Sequence, residues 1–438
     1  MKVAVLGGGL AGSECALNLA KAGIDVELYE MRPRKSTPVH KTSEFAELVC
    51  SNSLKSMEIH NAHGLLKEEM GIIDSVLLKV AKMSAISSSR ALVVDRNIFS
   101  RKVTELIESN SRIKSIREEV TEFPDADFIV VSTGPLTSNH FANYLKMKIG
   151  EDFLNFYDAV APVVLAESLD YSKMYFKDRH GDDDEIYLNI PLTREEYLRF
   201  VNELNDAEVH QPHLAEDKEY FEACLPIEIM AARGEDTLRY GPMRPDGLTL
   251  SWSKEKPYAV LQLRAENREK TLFSIVGFQT QMTMHEQERV FRMIPGMEMA
   301  EFAVYGKVHR NTYINVPRVL DNYFRLTKMD NVFFAGQLLG TEGYVEAIWG
   351  GLLVSIFIIH ILKKGVPPEL PPVTTMTGAL LDYITHYPHE DFKPMNANFG
   401  LINNVHFGIK GRDRRIYKAK RAVKDIAEWK DKNLSGIF

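Results

Sequence analysis

The chain has 438 residues, of which 45% are hydrophobic and 26% charged, so it is long enough to bury a sizeable core and to form two or three domains. Its formal net charge of −7 argues against binding nucleic acid with the whole surface and leaves room for a local basic patch. Three cysteines without paired spacing exclude a disulfide framework and a CxxC metal site, and no signal peptide is visible, so we expect a cytoplasmic protein.

The N-terminal segment has the pattern of a dinucleotide-binding βαβ unit. A short buried strand, Lys2–Leu6, runs into the glycine-rich Gly7–Gly12, which has GxGxxG spacing and is followed by residues with helical periodicity. A second strand, Asp25–Tyr29, ends at Glu30, about 20 residues after the glycines. This order of elements predicts a Rossmann-type dinucleotide site rather than a mere glycine-rich turn.

Each element of such a site has a physical role. We expect Gly7 to allow a tight turn, Gly9 to let the backbone approach a pyrophosphate, and Gly12 to permit close helix packing. The helix N-terminus offers free N–H groups and a positive dipole end. Glu30 is expected to accept a hydrogen bond from a ribose hydroxyl.

Two later strands decide which dinucleotide is expected. Asp127–Gly134 ends in a Thr-Gly turn, and Asn331–Gly336 ends in Ala-Gly and precedes a long apolar helix. This set resembles the glutathione-reductase-like flavoproteins, in which the last strand and the following helix N-terminus lie against the flavin. A second glycine fingerprint is not evident, so we predict FAD and no dedicated NAD(P)H domain. The predicted cofactor-binding residues are Gly7, Gly8, Gly9, Leu10, Ala11, Gly12, Glu30, Gly134, Gly336, Gly343 and Tyr344.

The predicted fold class is α/β, with a Rossmann-type FAD-binding domain and an inserted α+β domain. The FAD-binding domain is expected to comprise residues 1–150 and 305–438, and the inserted domain, which we expect to bind the substrate, residues 151–304. Within the insert, Arg194–Asn205 has helical spacing, and Pro226–Gly247 is expected to be irregular because glycine and proline recur in it.

One apolar run raises the question of a membrane. Ile348–Leu362 has fifteen residues, fewer than the roughly 20 needed to span a bilayer, and Gly350 and Gly351 lie near its start. We therefore expect a buried core helix.

The cysteines differ in their surroundings. Cys15 lies on the first predicted helix, where small packing residues are expected, whereas three hydrogen-bonding side chains follow Cys50. Cys224 lies between Glu222 and Glu228, which raise a thiol pKa unless one of them acts as a base. The residues alone leave open whether Cys50 or Cys224 is a nucleophile or a small buried hydrophobe.

Short motifs spread along nearly the whole chain carry a more specific resemblance. They are Ser51–Lys55 (SNSLK), Val94–Arg96 (VDR), Cys224–Glu228 (CLPIE), Leu238–Pro245 (LRYGPMRP), Val276–Thr280 (VGFQT), His309–Tyr313 (HRNTY) and Gly343–Glu346 (GYVE). Together they resemble the folate- and FAD-dependent tRNA (uracil-5-)-methyltransferase family, a relative of the larger flavoproteins that modify the tRNA wobble uridine. The resemblance implies methylation of uridine 54 in the tRNA T loop.

The chemistry implied by the resemblance requires a cysteine and a hydride donor. A thiolate adding at uracil C6 makes C5 nucleophilic toward the one-carbon unit of 5,10-methylenetetrahydrofolate. That carbon needs a hydride to become methyl, which FAD reduced by NAD(P)H supplies. The resemblance implies Cys224 as the nucleophile and Cys50 as a second catalytic thiol, with their roles exchangeable.

Three histidines are candidates for ligand binding. The resemblance places His309 at the folate site, where an imidazole can stack on a flat pterin; the alternative is a surface histidine in a loop. His60 and His63 have ligand-like spacing but no third ligand nearby, so no metal is predicted. Tyr344 is expected either to contact the flavin or to serve as a packing tyrosine.

A local site for tRNA is expected near the C-terminus. Lys410–Lys424 holds eight basic residues and one acidic residue, while Ile416, Ala419, Val423 and Ile426 recur at helical spacing. One face of this helix should pack, and the other is either solvated or binds phosphates.

Ala347–Trp349 is bulkier than the family pattern, which leaves the shape of the flavin pocket open. The alternatives to the implied function are another FAD-dependent tRNA-modifying enzyme, an NAD(P)H oxidase, and a non-catalytic flavin-containing RNA-binding protein. Methylation of tRNA that depends on methylenetetrahydrofolate rather than S-adenosylmethionine would distinguish the function implied by the resemblance from these alternatives.

Overall fold

The computed structural model describes residues 1–438 except 38, 87–89, 151–153, 160, 180–186, 210–224, 251–254, 268, 307, 388–391, 403–410 and 438, and the side chains of 154–159, 308–311 and 411. The strands are β1 (Lys2–Leu6), β2 (Asp25–Tyr29), β3 (Ser53–Ser56), β4 (Ala91–Val93), β5 (Ile113–Ile116), β6 (Phe128–Val131), β7 (Leu154–Ala159), β8 (Val163–Leu165), β9 (Tyr175–Phe176), β10 (Tyr187–Leu192), β11 (Ala259–Ala265), β12 (Leu272–Ile275), β13 (Phe302–Val304), β14 (Val308–Tyr313) and β15 (Val332–Phe334). The helices are α1 (Leu10–Lys21), α2 (Ala62–Ile72), α3 (Val76–Met83), α4 (Arg96–Glu108), α5 (Asn139–Ile149), α6 (Arg194–Asp206), α7 (Ile227–Ala232), α8 (Thr237–Tyr240), α9 (Met284–Phe291), α10 (Val316–Val319), α11 (Tyr344–Lys364), α12 (Met376–Thr385) and α13 (Gly411–Leu434).

The first sheet is parallel and combines strands from distant parts of the chain. Its order is β15-β6-β1-β2-β5, with β1 at the centre. The apolar runs of β1 and β6 are buried, as expected for parallel strands covered by helices on both faces. The predicted βαβ unit and the two later strands are therefore confirmed as neighbours in one sheet, and the predicted α/β class with a Rossmann-type domain is also confirmed.

Helices α1 and α11 pack closely because glycine lies at their crossing. A β carbon on Gly351 would overlap the backbone of Ala11, so a larger residue there would push the helices apart. Helix α11 is 21 residues long, and by length and apolar composition alone it could cross a membrane. The length argument from the fifteen-residue apolar run was therefore wrong. The burial of 78% of the helix's most apolar stretch identifies it instead as a core helix, as predicted.

The second sheet is antiparallel and lies in the middle of the chain. Its order is β13-β8-β12-β11-β10-β9. A second hydrophobic core, built from residues in the sequence range 164–302, is separate from the core of the first sheet. Helix α6 confirms the predicted helix near Arg194, whereas the expected irregular segment Pro226–Gly247 contains α7 and α8. The exact limits of the predicted discontinuous domains stay a prediction.

Candidate functional site

A cleft that is partly open to solvent lies at the carboxyl ends of β1, β2, β6 and β15. Ligands in open α/β sheets bind at this edge. Residues from both ends of the chain line it, including nine of the eleven predicted cofactor-binding residues: Gly7, Gly9, Leu10, Ala11, Glu30, Gly134, Gly336, Gly343 and Tyr344. Gly8 and Gly12 are not part of the lining.

The glycine turn has the shape that a pyrophosphate cradle requires. Gly7 has φ +104°, and a β carbon there would lie 2.6 Å from the carbonyl oxygen of Ser132. A β carbon on Gly12 would overlap the carbonyl oxygen of Gly7, so this glycine is required for the close contact of helix and turn. At Gly9 a β carbon would meet no atom within 4 Å, because the position faces open space at the start of α1. The residues present therefore fit a dinucleotide.

Glu30 is not a free acceptor, which the sequence did not reveal. Its carboxylate accepts from the amide of Gly8 (3.1 Å) and from the amide, Nε and Nη2 of the buried Arg32 (3.0, 3.0 and 3.1 Å). Burial by itself raises the pKa of Glu30, but the bonds and charge of Arg32 hold it below its usual value. Glu30 is thus an ionised group fixed in the cleft, and a ribose hydroxyl must share or displace one of these donors.

Residues 47–52 form a loop, here called the Cys50 loop, that is attached to the cleft by Tyr344. The hydroxyl oxygen of Tyr344, the first residue of α11, accepts from the amides of Cys50 (2.6 Å) and Ser51 (3.1 Å). Burial, followed by the charge of Cys50, raises the pKa of this hydroxyl. Tyr344 and Glu30 both line the cleft, so the Cys50 loop is attached to the same cavity that holds the predicted ribose contact.

The same loop also contacts the antiparallel sheet. Arg264 on β11 donates from Nε to the side-chain oxygen of Asn52 (3.0 Å) and from Nη2 to the hydroxyl of Ser51 (2.8 Å). Asn52 in turn donates to the carbonyl of Ala265 (3.0 Å). The Cys50 loop therefore lies where the two sheets meet, which is a common position for an active site.

Arg96 adds a positive charge beside the cysteine. It forms an ion pair with Glu266 and donates to the carbonyl of Leu48 (3.2 Å). Burial by itself lowers the pKa of Arg96, but the charges of Glu266, Tyr344 and Cys50 raise it, so the guanidinium is charged and within electrostatic reach of the thiol. A nearby cation favours a thiolate.

Replacing Tyr344 with phenylalanine is expected to lower activity about 10- to 100-fold while the flavin stays bound. The change leaves the amides of Cys50 and Ser51 without their acceptor, at a cost of about 1–3 kcal/mol each, and so loosens the loop. Steady-state rates and flavin absorbance of the purified variant test this. In the matched control Tyr323→Phe, a hydroxyl that donates to Pro368 (3.1 Å) is lost elsewhere, and the rate should not change. Equal rates for both variants would contradict the assigned role.

Cys224 lies outside the described residues, but the end of its motif is visible. Glu228 is buried and accepts from the hydroxyl of Thr280 (3.0 Å) and the amide of Gln281 (2.8 Å), and the amide of Ile227 donates to Gln279 (2.7 Å). The structure thus brings together the CLPIE and VGFQT motifs. Burial raises the pKa of Glu228.

Two further sequence expectations, on His309 and on the bulky segment Ala347–Trp349, have partial answers. His309 lies on β14 opposite Asp158 of β7, and not in a loop, although its side chain is not described. Ala347 lines the cleft, whereas Trp349 is buried against Phe324 with ring centroids 5.8 Å apart. The bulky Trp349 therefore packs in the core and does not narrow the cleft.

The two neighbouring histidines contact different carboxylates. Nε2 of His60 lies 3.3 Å from Glu58, and Nε2 of His63 lies 3.3 Å from the buried Glu346. Among the described residues, no group of three histidine, cysteine or acidic side chains is arranged to hold a metal ion.

The basic segment near the C-terminus forms the predicted helix, α13. Ala419 and Ile426 are buried in the large core, whereas Arg412, Arg414 and Arg415 are exposed. The separation of an apolar and a cationic face is confirmed; contact with tRNA stays a prediction.

Comparisons with known proteins give consistent results. The family model described as "Glucose inhibited division protein A" matches residues 2–365. A protein of Dictyoglomus thermophilum named methylenetetrahydrofolate--tRNA-(uracil-5-)-methyltransferase TrmFO is 50% identical over 427 residues, 97% of each chain. A Thermotoga maritima protein of the same name is 48% identical over 435 residues, 99% of this chain and all of the relative.

Solved structures show likeness at the level of fold. Two crystal forms of Aquifex aeolicus GidA superpose with TM-scores of 0.71 and 0.69, at 15% sequence identity. The superpositions cover 100% and 98% of this chain, and 76% and 73% of the larger GidA chain.

Proposed function

This chain belongs to the family of the methylenetetrahydrofolate–tRNA-(uracil-5-)-methyltransferases, and from that premise we propose that it methylates C5 of uridine 54 in the tRNA T loop. It is an FAD enzyme that takes its one-carbon unit from methylenetetrahydrofolate and its electrons from NAD(P)H. The arrangement that best supports this function is the Cys50 loop, whose amides donate to the hydroxyl of Tyr344 in the wall of the dinucleotide cleft.

The FAD would be held along the cleft in a defined direction. The N-terminus of α1, with Gly9 open beside it, would receive the pyrophosphate, and Glu30 would face the ribose. The isoalloxazine ring would then lie by Gly336, Gly343 and Tyr344. When bound there, the flavin supplies the hydride that converts a methylene carbon to methyl.

The two cysteines would divide the remaining chemistry. Cys224 adds to uracil C6 as a thiolate, and the resulting enolate attacks the one-carbon unit from C5. Loss of the C5 proton then expels the folate nitrogen and leaves a methylene at C5. A hydride converts this methylene to methyl, and elimination of the thiolate restores the uracil double bond. Cys50 is the second thiol, positioned for proton transfer, with Arg96 favouring its ionised form. The roles of the two thiols are exchangeable in this scheme. His309 would stack on the pterin of the folate.

The experiment that tests the function is reconstitution with unmodified tRNA and NAD(P)H, with methylenetetrahydrofolate or S-adenosylmethionine as the methyl source. We expect 5-methyluridine in the digested tRNA when methylenetetrahydrofolate is the methyl source, and none when S-adenosylmethionine is. A tRNA variant in which cytidine replaces the T-loop uridine should give no product with either. Product with S-adenosylmethionine, or oxidation of NAD(P)H without any methylation, would instead favour a different flavoenzyme.

Neutralising Arg412, Arg414 and Arg415 to glutamine is expected to weaken tRNA binding by a similar factor for every tRNA sequence. These exposed side chains on α13 would contact phosphates, and each lost contact lowers the slope of log Kd against log salt by about 1. Filter binding of tRNA at several salt concentrations measures the slope.

We propose a cytoplasmic location for this reaction.

A matched control removes the same charge elsewhere. Lys79, Arg101 and Lys114 are exposed on α3, α4 and β5, so their triple glutamine variant changes the net charge equally. If both triple variants bind tRNA alike, net charge and not the α13 surface determines binding, and the proposed contact is wrong.

A further inference from the structure

Four ionisable side chains gather behind the N-terminus of α11, next to the cleft but without a role so far. They are Lys55 on β3, His63 and Lys67 on α2, and Glu346 on α11. Glu346 is 0% exposed, Lys67 1% and the His63 side chain 15%. Lys55 is exposed, whereas the buried charges of Glu346 and Lys67 interact strongly with any charge change in the neighbouring cleft.

Glu346 extends this group to the wall of the cleft. Its Oε1 accepts from the amide of Ala397 (3.0 Å) and lies 3.3 Å from Nε2 of His63. Its Oε2 has no hydrogen-bond partner among the described residues and fills the space that a side chain on Gly343 would need. Gly343 itself lines the cleft, so the buried carboxylate is one residue away from the proposed flavin ring.

His63 lies between two groups that demand opposite states of one nitrogen. Nε2 lies 3.2 Å from the ammonium of Lys55 and 3.3 Å from the carboxylate of Glu346. The ammonium can only donate, so it needs Nε2 without a proton, whereas the carboxylate can only accept and needs Nε2–H. Gain of a proton by the ring therefore strengthens the contact with Glu346 and breaks that with Lys55.

The charge of Glu346 opposes the electrostatics of its helix. The N-terminus of α11 presents a positive dipole end to the cleft, which favours an anionic reduced flavin, but Glu346, third in the helix, counteracts it. Burial by itself raises the pKa of Glu346, and the bond and charge of His63 with the charge of Lys55 hold it below its usual value. An imidazolium at His63 would compensate the carboxylate.

Other charged groups around α2 are engaged or distant. Burial lowers the pKa of Lys67 to about 7, and its ammonium donates to the carbonyl of Leu54 (2.6 Å). Glu69 accepts from the amides that begin α12, Lys418 of α13 donates to backbone carbonyls, and Lys82 on α3 is exposed. Among these groups, His63 is therefore the one that directly contacts Glu346 and that can itself gain or lose a charge.

We propose that His63 takes up one proton from solvent when the bound flavin is reduced, so that the charge of Glu346 is compensated in the reduced enzyme. The inference rests on the proposed flavin site. Nicotinamide donates two electrons and one proton as hydride to the flavin, which becomes anionic, and the solvent proton goes to the imidazole. The proton leaves again when the hydride is passed on. His63 does not touch the flavin and is a positioning residue.

The test is the flavin midpoint potential as a function of pH in the purified holoenzyme and in His63→Gln. Glutamine keeps an N–H donor for Glu346 but takes up no proton. One extra proton per two electrons steepens the fall of the potential by about 30 mV for each tenfold decrease in proton activity. We expect this extra slope in the wild type and its loss in the variant.

His60→Gln is the matched control, because this histidine is three residues earlier and contacts Glu58 instead. It should keep the wild-type slope. If His63→Gln fails to fold, Glu346→Gln serves in its place and should raise the potential and flatten its pH dependence. Parallel curves in all proteins would overturn the inference alone, whereas a protein that binds no flavin would overturn the proposed function.

Discussion

Replacing Cys50 with alanine is expected to lower the rate of tRNA methylation by at least about 1,000-fold, with the flavin still bound and the fold intact. The loop is held through backbone amides and through Ser51 and Asn52, so loss of the sulfur leaves those bonds in place. Product formation per enzyme, measured by mass spectrometry of digested tRNA, gives the rate, and flavin absorbance confirms an intact cofactor site. Cys224→Ala should show an equally large loss.

Cys15→Ala provides the matched control. Cys15 is 0% exposed within α1, and burial raises the pKa of its thiol, so it is an inert packing residue. The variant should methylate tRNA at the wild-type rate. A Cys50→Ala enzyme that kept a rate within about tenfold of wild type would remove this thiol from the mechanism.

Gly9→Ala is expected to fold as the wild type does and to lose at least about 100-fold in flavin affinity, equivalent to about 3 kcal/mol. The new methyl group meets no atom of the chain within 4 Å, and φ of −73° suits alanine. It enters the space at the start of α1 through which a pyrophosphate must approach the backbone. Thermal unfolding without flavin and flavin titration measure the two effects separately.

Two other glycine variants serve as comparisons, one expected to be destabilised and one expected to behave as the wild type. Gly12→Ala would overlap the carbonyl oxygen of Gly7, so both the stability of the flavin-free protein and flavin binding should fall. Gly71→Ala on α2 places its methyl group 3.9 Å from Leu78 and should preserve both. Wild-type flavin affinity in Gly9→Ala would mean that the cofactor does not approach α1 in this way.

Most of the fold could be predicted from local sequence patterns. The Gly7–Gly12 turn and its flanking strands were predictable because their geometry depends on neighbouring residues alone. The length of α11 was not, since Tyr344 and Glu346 interrupt its apolar run while lying in the helix. Its burial depends on Gly351 packing against α1, a contact that sequence spacing does not reveal.

The site was predictable where the glycine fingerprint or a family motif marked it. Cys50 stands directly before the SNSLK motif and Tyr344 in the GYVE motif, yet the bond between them joins residues 294 positions apart. Arg264 lies 212 positions from Asn52, and no local pattern distinguishes it from a surface arginine. The partner of Glu30 was missed for a different reason: Arg32 is close in sequence, but its burial depends on the surrounding fold.

The most direct test of the proposed methylation is a reaction with methylenetetrahydrofolate that carries deuterium on its methylene carbon, together with unmodified tRNA and NAD(P)H. We predict that the 5-methyluridine of the T loop contains both deuterium atoms and that Cys224→Ala forms none. A holoenzyme whose flavin is reduced by NAD(P)H, but which transfers no labelled carbon to tRNA, would contradict the account.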